Sequence, residues 1–126
     1  KMTQEAMEAN KDSKLWEVAK TLEEVNGKTA FDAMRLGDPV GAEVVNQYIQ
    51  YLGCGLANFV NIFQPEILLI GGGISKEGET LLAPLREILK EETYGISGVK
   101  STTLKTCALG NDAGTIGAAF LWKIYA

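Results

Sequence analysis

Three consecutive glycines, Gly71, Gly72 and Gly73, follow the apolar run Ile67-Leu68-Leu69-Ile70 and precede a polar, helix-starting segment. Glycine frees φ and removes the side chain, at roughly 0.5–1 kcal/mol per residue against alanine in a regular element. Three in a row point to a tight turn, or to a ligand lying directly on the backbone. At the C-terminal end of a buried parallel strand such a turn presents backbone N–H groups and bare surface where open α/β sheets take ligands. The dinucleotide fingerprint is not met, because the sixth position counted from Gly71 is Lys76. No Gly-Lys-Ser/Thr follows at P-loop spacing either. On the residues alone, a nucleotide-contacting turn and a plain strand-to-helix turn stand side by side.

Other chemistries are excluded more firmly. The chain has no histidine, so it holds neither a His base nor a His-containing zinc site. Cys54 and Cys107 match no metal spacing and read as buried free thiols. Net charge is −4, from 12 basic and 16 acidic residues. Lys11, Lys14, Lys20 and Lys28 are interleaved with Asp12, Glu17, Glu23 and Glu24, a solvated face that predicts no nucleic-acid contact. The longest apolar stretch is broken by Asn58, Asn61 and Gln64, so no membrane span is expected, and the setting is read as reduced and cytoplasmic.

The elements that would position the glycines follow from local signals. Residues 1–38 read as a helical lead-in: a helix over Thr3 to Asn10, a second over Lys14 to Val25 capped by Ser13, and a third capped by Thr29 and closed by Gly37. Asp38-Pro39 is a cap followed by proline at the first helical position. The helix it starts runs to Phe63, with Val45, Tyr48, Leu52, Leu56, Phe59 and Phe63 expected inward and Pro65 as its stop. The small residues Gly53, Cys54, Gly55 and Ala57 suggest close packing. Glu66 to Ile70 suits a strand buried on both faces. Thr80 caps a helix to Glu91 with Leu81, Leu85, Ile88 and Leu89 inward. Val99 to Leu109 reads as a second strand, and Gly110-Asn111-Asp112 turns into a last helix carrying Ala113, Ile116, Gly117, Phe120 and Ile124. That order signals α/β architecture with two parallel strands. Two short strands cannot receive so much helical apolar surface, so the chain is read as part of a larger sheet.

Several segments together resemble one family. "GLANFVNIFQPEILLIGGGIS", "TAFDAMRLGDPVGAEVV" and "CALGNDAGTIGAAFL" are similar to consecutive parts of the ROK family of bacterial sugar kinases and repressors, glucokinases above all, within the actin/hexokinase/Hsp70 ATPase superfamily. The likeness covers nearly all of residues 15 to 125. It implies a partial actin-like, ribonuclease H-like domain: residues 1–38 leading in, 39–109 carrying helix-strand-helix-strand, and 110–126 forming an interdomain helix. It also implies an adenosine turn at Gly71, Gly72 and Gly73 with Ile74 beside the nucleotide, ATP with magnesium as cofactor, a hexose as the other substrate, and pairing into a homo-oligomer. Asp112 reads as a helix cap rather than a ligand. These residues contain no Asp-x-Gly-x-Thr phosphate loop, no Cys-rich zinc motif and no counterpart of the family's catalytic Asp. The resemblance therefore implies a C-terminal kinase portion that is inactive by itself, with a repressor portion or a free-standing oligomerisation module as alternatives.

Overall fold

A computed structural model describes residues 1–94, 101–121 and 123. The chain forms two compact units, Lys1–Leu52 and the part from Gly53 onward, and the break falls inside one long helix.

In the first unit, α1 spans Met2–Ala9, α2 Leu15–Val18 and α3 Thr29–Arg35, and α4 begins at Pro39. The expected helix from Lys14 to Val25 stops after one turn. Ala19 is extended (φ −126°, ψ 119°), and a 3-10 turn, Leu22–Glu24, follows. Side chains take over the backbone bonding there: Lys20 N–H donates to Glu24 Oε2 at 2.7 Å, and Gln4 Nε2 donates to the Leu22 carbonyl at 2.9 Å. Thr29 is not the cap of α3, since its hydroxyl accepts from Asn26 N–H at 3.0 Å.

Asp38 does cap α4. Its Oδ2 accepts from Gly41 N–H at 3.0 Å and from the Ser13 hydroxyl at 2.6 Å, while Ser13 Oγ accepts from Leu15 N–H at 3.1 Å. Burial pushes the Asp38 carboxyl up, but hydrogen bonds from Ser13 and from the Gly41, Lys14 and Val40 backbone outweigh it and hold the pKa below its ordinary 3.8. A folded-state pKa that is depressed stabilises above the unfolded value and loses that contribution as pH falls through the folded one. Asp38→Ala should therefore cost about 1 kcal/mol at neutral pH. Urea unfolding at pH 7 and again below the ordinary carboxylate range should show that penalty shrinking in acid. A penalty independent of pH would remove the ionised cap.

α4 runs Pro39–Phe63, 25 residues. Its buried face differs from the expected one. Val45, Ile49, Ala57 and Val60 are inside, with Gly53, whereas Phe59 and Phe63 are 58% and 67% exposed. The residues at 45, 49, 53 and 57 form a single i+4 row, and small side chains in it allow close approach. A methyl built on Gly53 would sit 2.8 Å from Ile88 Cδ1 and Cγ2. Cys54 and Gly55 lie outside that row and are exposed. Cys54 is thus not a buried thiol, and Cys107 is half-buried; both are free.

The helix ends as Pro65 requires, but through Gln64 in the left-handed region (φ 45°), whose N–H still donates to the Val60 carbonyl at 2.8 Å. A side chain there is strained. Gln64→Gly is expected to stabilise the fold by roughly 0.5–1 kcal/mol, read as a higher urea midpoint; a lower midpoint would contradict it.

In the second unit, β1 (Ile67–Ile70) and β2 (Thr103–Thr106) pair in parallel, Ile67 with Thr103 through Ile70 with Thr106. The expected start of β2 at Val99 and Lys100 lies outside the described residues. α5 (Glu79–Glu92) connects the strands and buries Leu81, Leu82, Leu85, Ile88 and Leu89. Its N-cap is Gly78, so Thr80 lies within the helix. β1 is covered on one face only: Ile70 is buried, while Ile67 and Leu69 are 54% and 56% exposed. Both-face burial needs a second layer over Ile67 and Leu69, and the described residues supply none. α6 (Ala113–Phe120) follows a 3-10 turn, Gly110–Asp112. Of its expected inward stripe, Ile116 is half-buried and Gly117 and Phe120 are exposed, while the side chain of Ala113 and all of Ile124 lie outside the described residues.

Candidate functional site

β1 and β2 end level with each other, and the glycines occupy the turn leaving β1. Their three positions differ in kind. A methyl built on Gly71 would meet Cys107 Sγ at 3.4 Å and the Gly110 carbonyl at 3.9 Å, an ordinary contact. Gly72 has φ +78° and ψ −172°, a region that only glycine occupies comfortably. Gly73 has neither constraint: its φ is not left-handed, and a methyl built on it meets no described atom within 4 Å. Ile74 beside it is half-buried.

The turn continues as a 3-10 segment, Gly73–Glu77, which local periodicity gave no reason to expect. Ser75 organises it. Its hydroxyl donates to the Gly72 carbonyl at 2.7 Å and its N–H to the same oxygen at 3.2 Å. Nothing in the local sequence pattern marks Ser75 for this part, because a hydroxyl bond back to the third preceding carbonyl depends on the turn being formed. Gly78, at φ 55°, closes the segment and opens α5.

Gly73 leaves bare, exposed backbone at the C-terminal ends of the parallel strands. Among the described residues no cluster of three or more Cys, Asp or Glu side chains could hold a metal ion. Asp112 occupies the N-cap position of α6, but its side chain makes no capping hydrogen bond. A cavity of about 550 Å³ lies elsewhere, beside the start of β2, lined by Arg86, Lys90, Thr93 and Thr102 among others. Three of its polar side chains are already engaged: Arg86 with Glu79 at 2.5 Å, Thr102 Oγ1 with the Pro65 carbonyl at 2.6 Å, and Thr93 Oγ1 with the Leu89 carbonyl at 2.5 Å. The glycine corner is therefore the better candidate. No helix among the described residues is long and apolar enough to cross a membrane.

The sequence profile of the ROK family matches residues 4–124. This chain belongs to the ROK family. It is 38% identical over 100 residues to a glucokinase of Halalkalibacterium halodurans, a match covering 79% of this chain and 30% of that protein. Against a glucokinase of Thermotoga maritima it is 36% identical over 111 residues, covering 88% of this chain and 35% of the other. The ROK chain thus spans about a third of the length of these relatives. A xylose repressor of Caldicellulosiruptor bescii is 32% identical over 63% of this chain. The crystal structure of a ROK family glucokinase from Streptomyces griseus, in complex with glucose and AMPPNP, superposes with a TM-score of 0.80 at 28% identity, over 95% of this chain and 39% of that one. The helix-rich fold with two parallel strands is accordingly part of the actin-like ROK kinase fold.

Proposed function

We propose that this ROK chain is the adenosine-binding portion of an ATP-dependent hexose kinase of the glucokinase type, whose complete form transfers the γ-phosphoryl group of ATP to a sugar hydroxyl. The observation that carries the reading is where Gly73 stands: it is exposed in the turn that leaves β1, at the C-terminal ends of two parallel strands, where open α/β sheets take ligands, and an added methyl there meets no described atom within 4 Å. Gly71, Gly72 and Ile74 would shape the same surface. The nucleotide analogue and glucose bound by the Streptomyces griseus relative support ATP and a hexose as the substrate pair. The described residues suit the base and ribose side of ATP, and they offer no carboxylate cluster for magnesium. Phosphoryl transfer needs both substrates and the metal positioned together, and the part this reading gives the chain is nucleotide binding.

Titrating ¹⁵N-labelled chain with AMPPNP tests the reading. The amide signals of Gly71 to Ile74 are expected to move first, with a dissociation constant on the order of 1 mM for a half-built cleft. Unmoved signals at saturating nucleotide would overturn it. The xylose repressor relative supports a second reading, a sugar-responsive repressor portion, which that negative result would favour.

We further infer that the outer face of α4 pairs copies of the protein. Phe59 and Phe63 stack with ring centroids 5.8 Å apart, Ile62 is 71% exposed beside them, and Gly55 on the same face allows close approach. Sedimentation should show an oligomer that Ile62→Glu dissociates; a monomeric parent chain would exclude the pairing.

A further inference from the structure

A peptide between two glycines has little orientation of its own. Flipping it changes ψ of the first residue and φ of the second, and glycine tolerates both changes. The peptide joining Gly72 to Gly73 is nevertheless held from one side. The Gly72 carbonyl accepts from the Ser75 hydroxyl at 2.7 Å and from Ser75 N–H at 3.2 Å. Ser75 is buried and is anchored in turn. Its carbonyl accepts from Gly78 N–H at 3.2 Å, and the Gly78 carbonyl accepts from Leu81 N–H at 3.2 Å and from Leu82 N–H at 2.9 Å. Leu81 and Leu82 belong to the buried face of α5. A continuous run of hydrogen bonds therefore ties the glycine turn to the first turn of that helix.

We propose that Ser75 is a positioning residue for nucleotide binding, its hydroxyl fixing the plane of the Gly72–Gly73 peptide. A planar trans peptide places its C=O and N–H on opposite sides. Holding the Gly72 carbonyl on the buried serine thus turns the Gly73 N–H away from it. Gly73 is exposed, so its amide is kept on the open side of the turn. Without the hydroxyl only the longer bond from Ser75 N–H remains, and the peptide samples other orientations. The inference rests on the reading of Gly71–Gly73 as the adenosine turn, but the hold on the peptide exists without nucleotide.

The test compares wild type, Ser75→Ala and Thr102→Ala, labelled with ¹³C and ¹⁵N. Thr102→Ala is the control, because it removes a hydroxyl-to-carbonyl bond of similar length, 2.6 Å to Pro65, at the opposite end of the strands. Without nucleotide, Ser75→Ala should move the Gly72 carbonyl and Gly73 amide signals well beyond their positions in Thr102→Ala, while Leu85 and Ile88 of α5 stay in place in both. It should also weaken AMPPNP binding about fivefold, with Thr102→Ala within about twofold of wild type. Turn signals that stay put in Ser75→Ala, or that Thr102→Ala moves as far, would overturn the proposal by making the serine bond ordinary stabilisation. So would an AMPPNP affinity that Ser75→Ala leaves unchanged in a chain whose wild type binds it. Should the alanine variant fail to fold, Ser75→Cys, whose thiol is a weak donor, is read in the same way. A wild-type chain whose turn ignores AMPPNP would defeat the adenosine reading alone, since the hold on the peptide is judged on the nucleotide-free spectra.

Discussion

Gly73→Val is expected to abolish most nucleotide binding, by about tenfold or more in dissociation constant, while the melting temperature stays close to wild type. The built methyl on Gly73 meets no described atom within 4 Å, so the folded chain has room for the side chain. On the proposed reading, an adenosine lying on that surface would not. Gly72→Val should behave in the opposite sense. At φ +78° and ψ −172° any Cβ is strained, at about 1–3 kcal/mol, so stability falls before nucleotide enters the question. A Gly72 variant therefore confounds binding with folding. Calorimetric titration with AMPPNP beside thermal melting separates the two. A Gly73→Val chain that binds like wild type would remove the ligand explanation for that glycine.

Gly41→Val should have the largest effect on stability. Gly41 lies in the first turn of α4, where α3 crosses it. A methyl built there would stand 2.9 Å from Ala33 Cβ, 2.9 Å from Met34 N and 3.1 Å from the Ala30 carbonyl. Two of those three atoms are backbone and cannot swing aside, so the crossing itself must open. Overpacking of this kind destabilises by about 1–3 kcal/mol, and a branched side chain belongs at the upper end. The change would also pull Gly41 N–H away from Asp38 Oδ2, loosening the cap that joins Ser13 to α4. Gly117→Val in α6, where no described atom lies within 4 Å, provides the comparison. Urea unfolding in which both variants lose equal stability would show that α3 and α4 do not meet as closely as described.

The corner at Gly71 to Gly73 also shows why a glycine run is a weak signal when read alone. One glycine is there for its backbone angles, one would reach Cys107 only through an added methyl, and one is free of both demands. The family assignment rests instead on the match over residues 4–124 and on the superposition with the Streptomyces griseus enzyme, and the glycine geometry then says which atom of the turn to probe.

Local chemistry in the sequence was enough to place α4 between its Asp38-Pro39 start and its Pro65 stop, to set Ile67–Ile70 as a strand, and to put α5 between two parallel strands. Caps, prolines and short apolar runs act within a few residues of themselves, so no distant partner is needed to read them. The tertiary structure alone decided which row of α4 is buried. The spacing of Val45, Tyr48, Leu52, Leu56, Phe59 and Phe63 fits a helix, yet the row carrying Gly53 and Ala57 turns inward because Ile88 can approach only small residues. It also ended α2 at Val18, where Gln4 and Glu24 side chains satisfy the backbone instead of a helix, and it left Ile67 and Leu69 uncovered. Each of these depends on what stands opposite a residue, and periodicity along one chain carries no record of that.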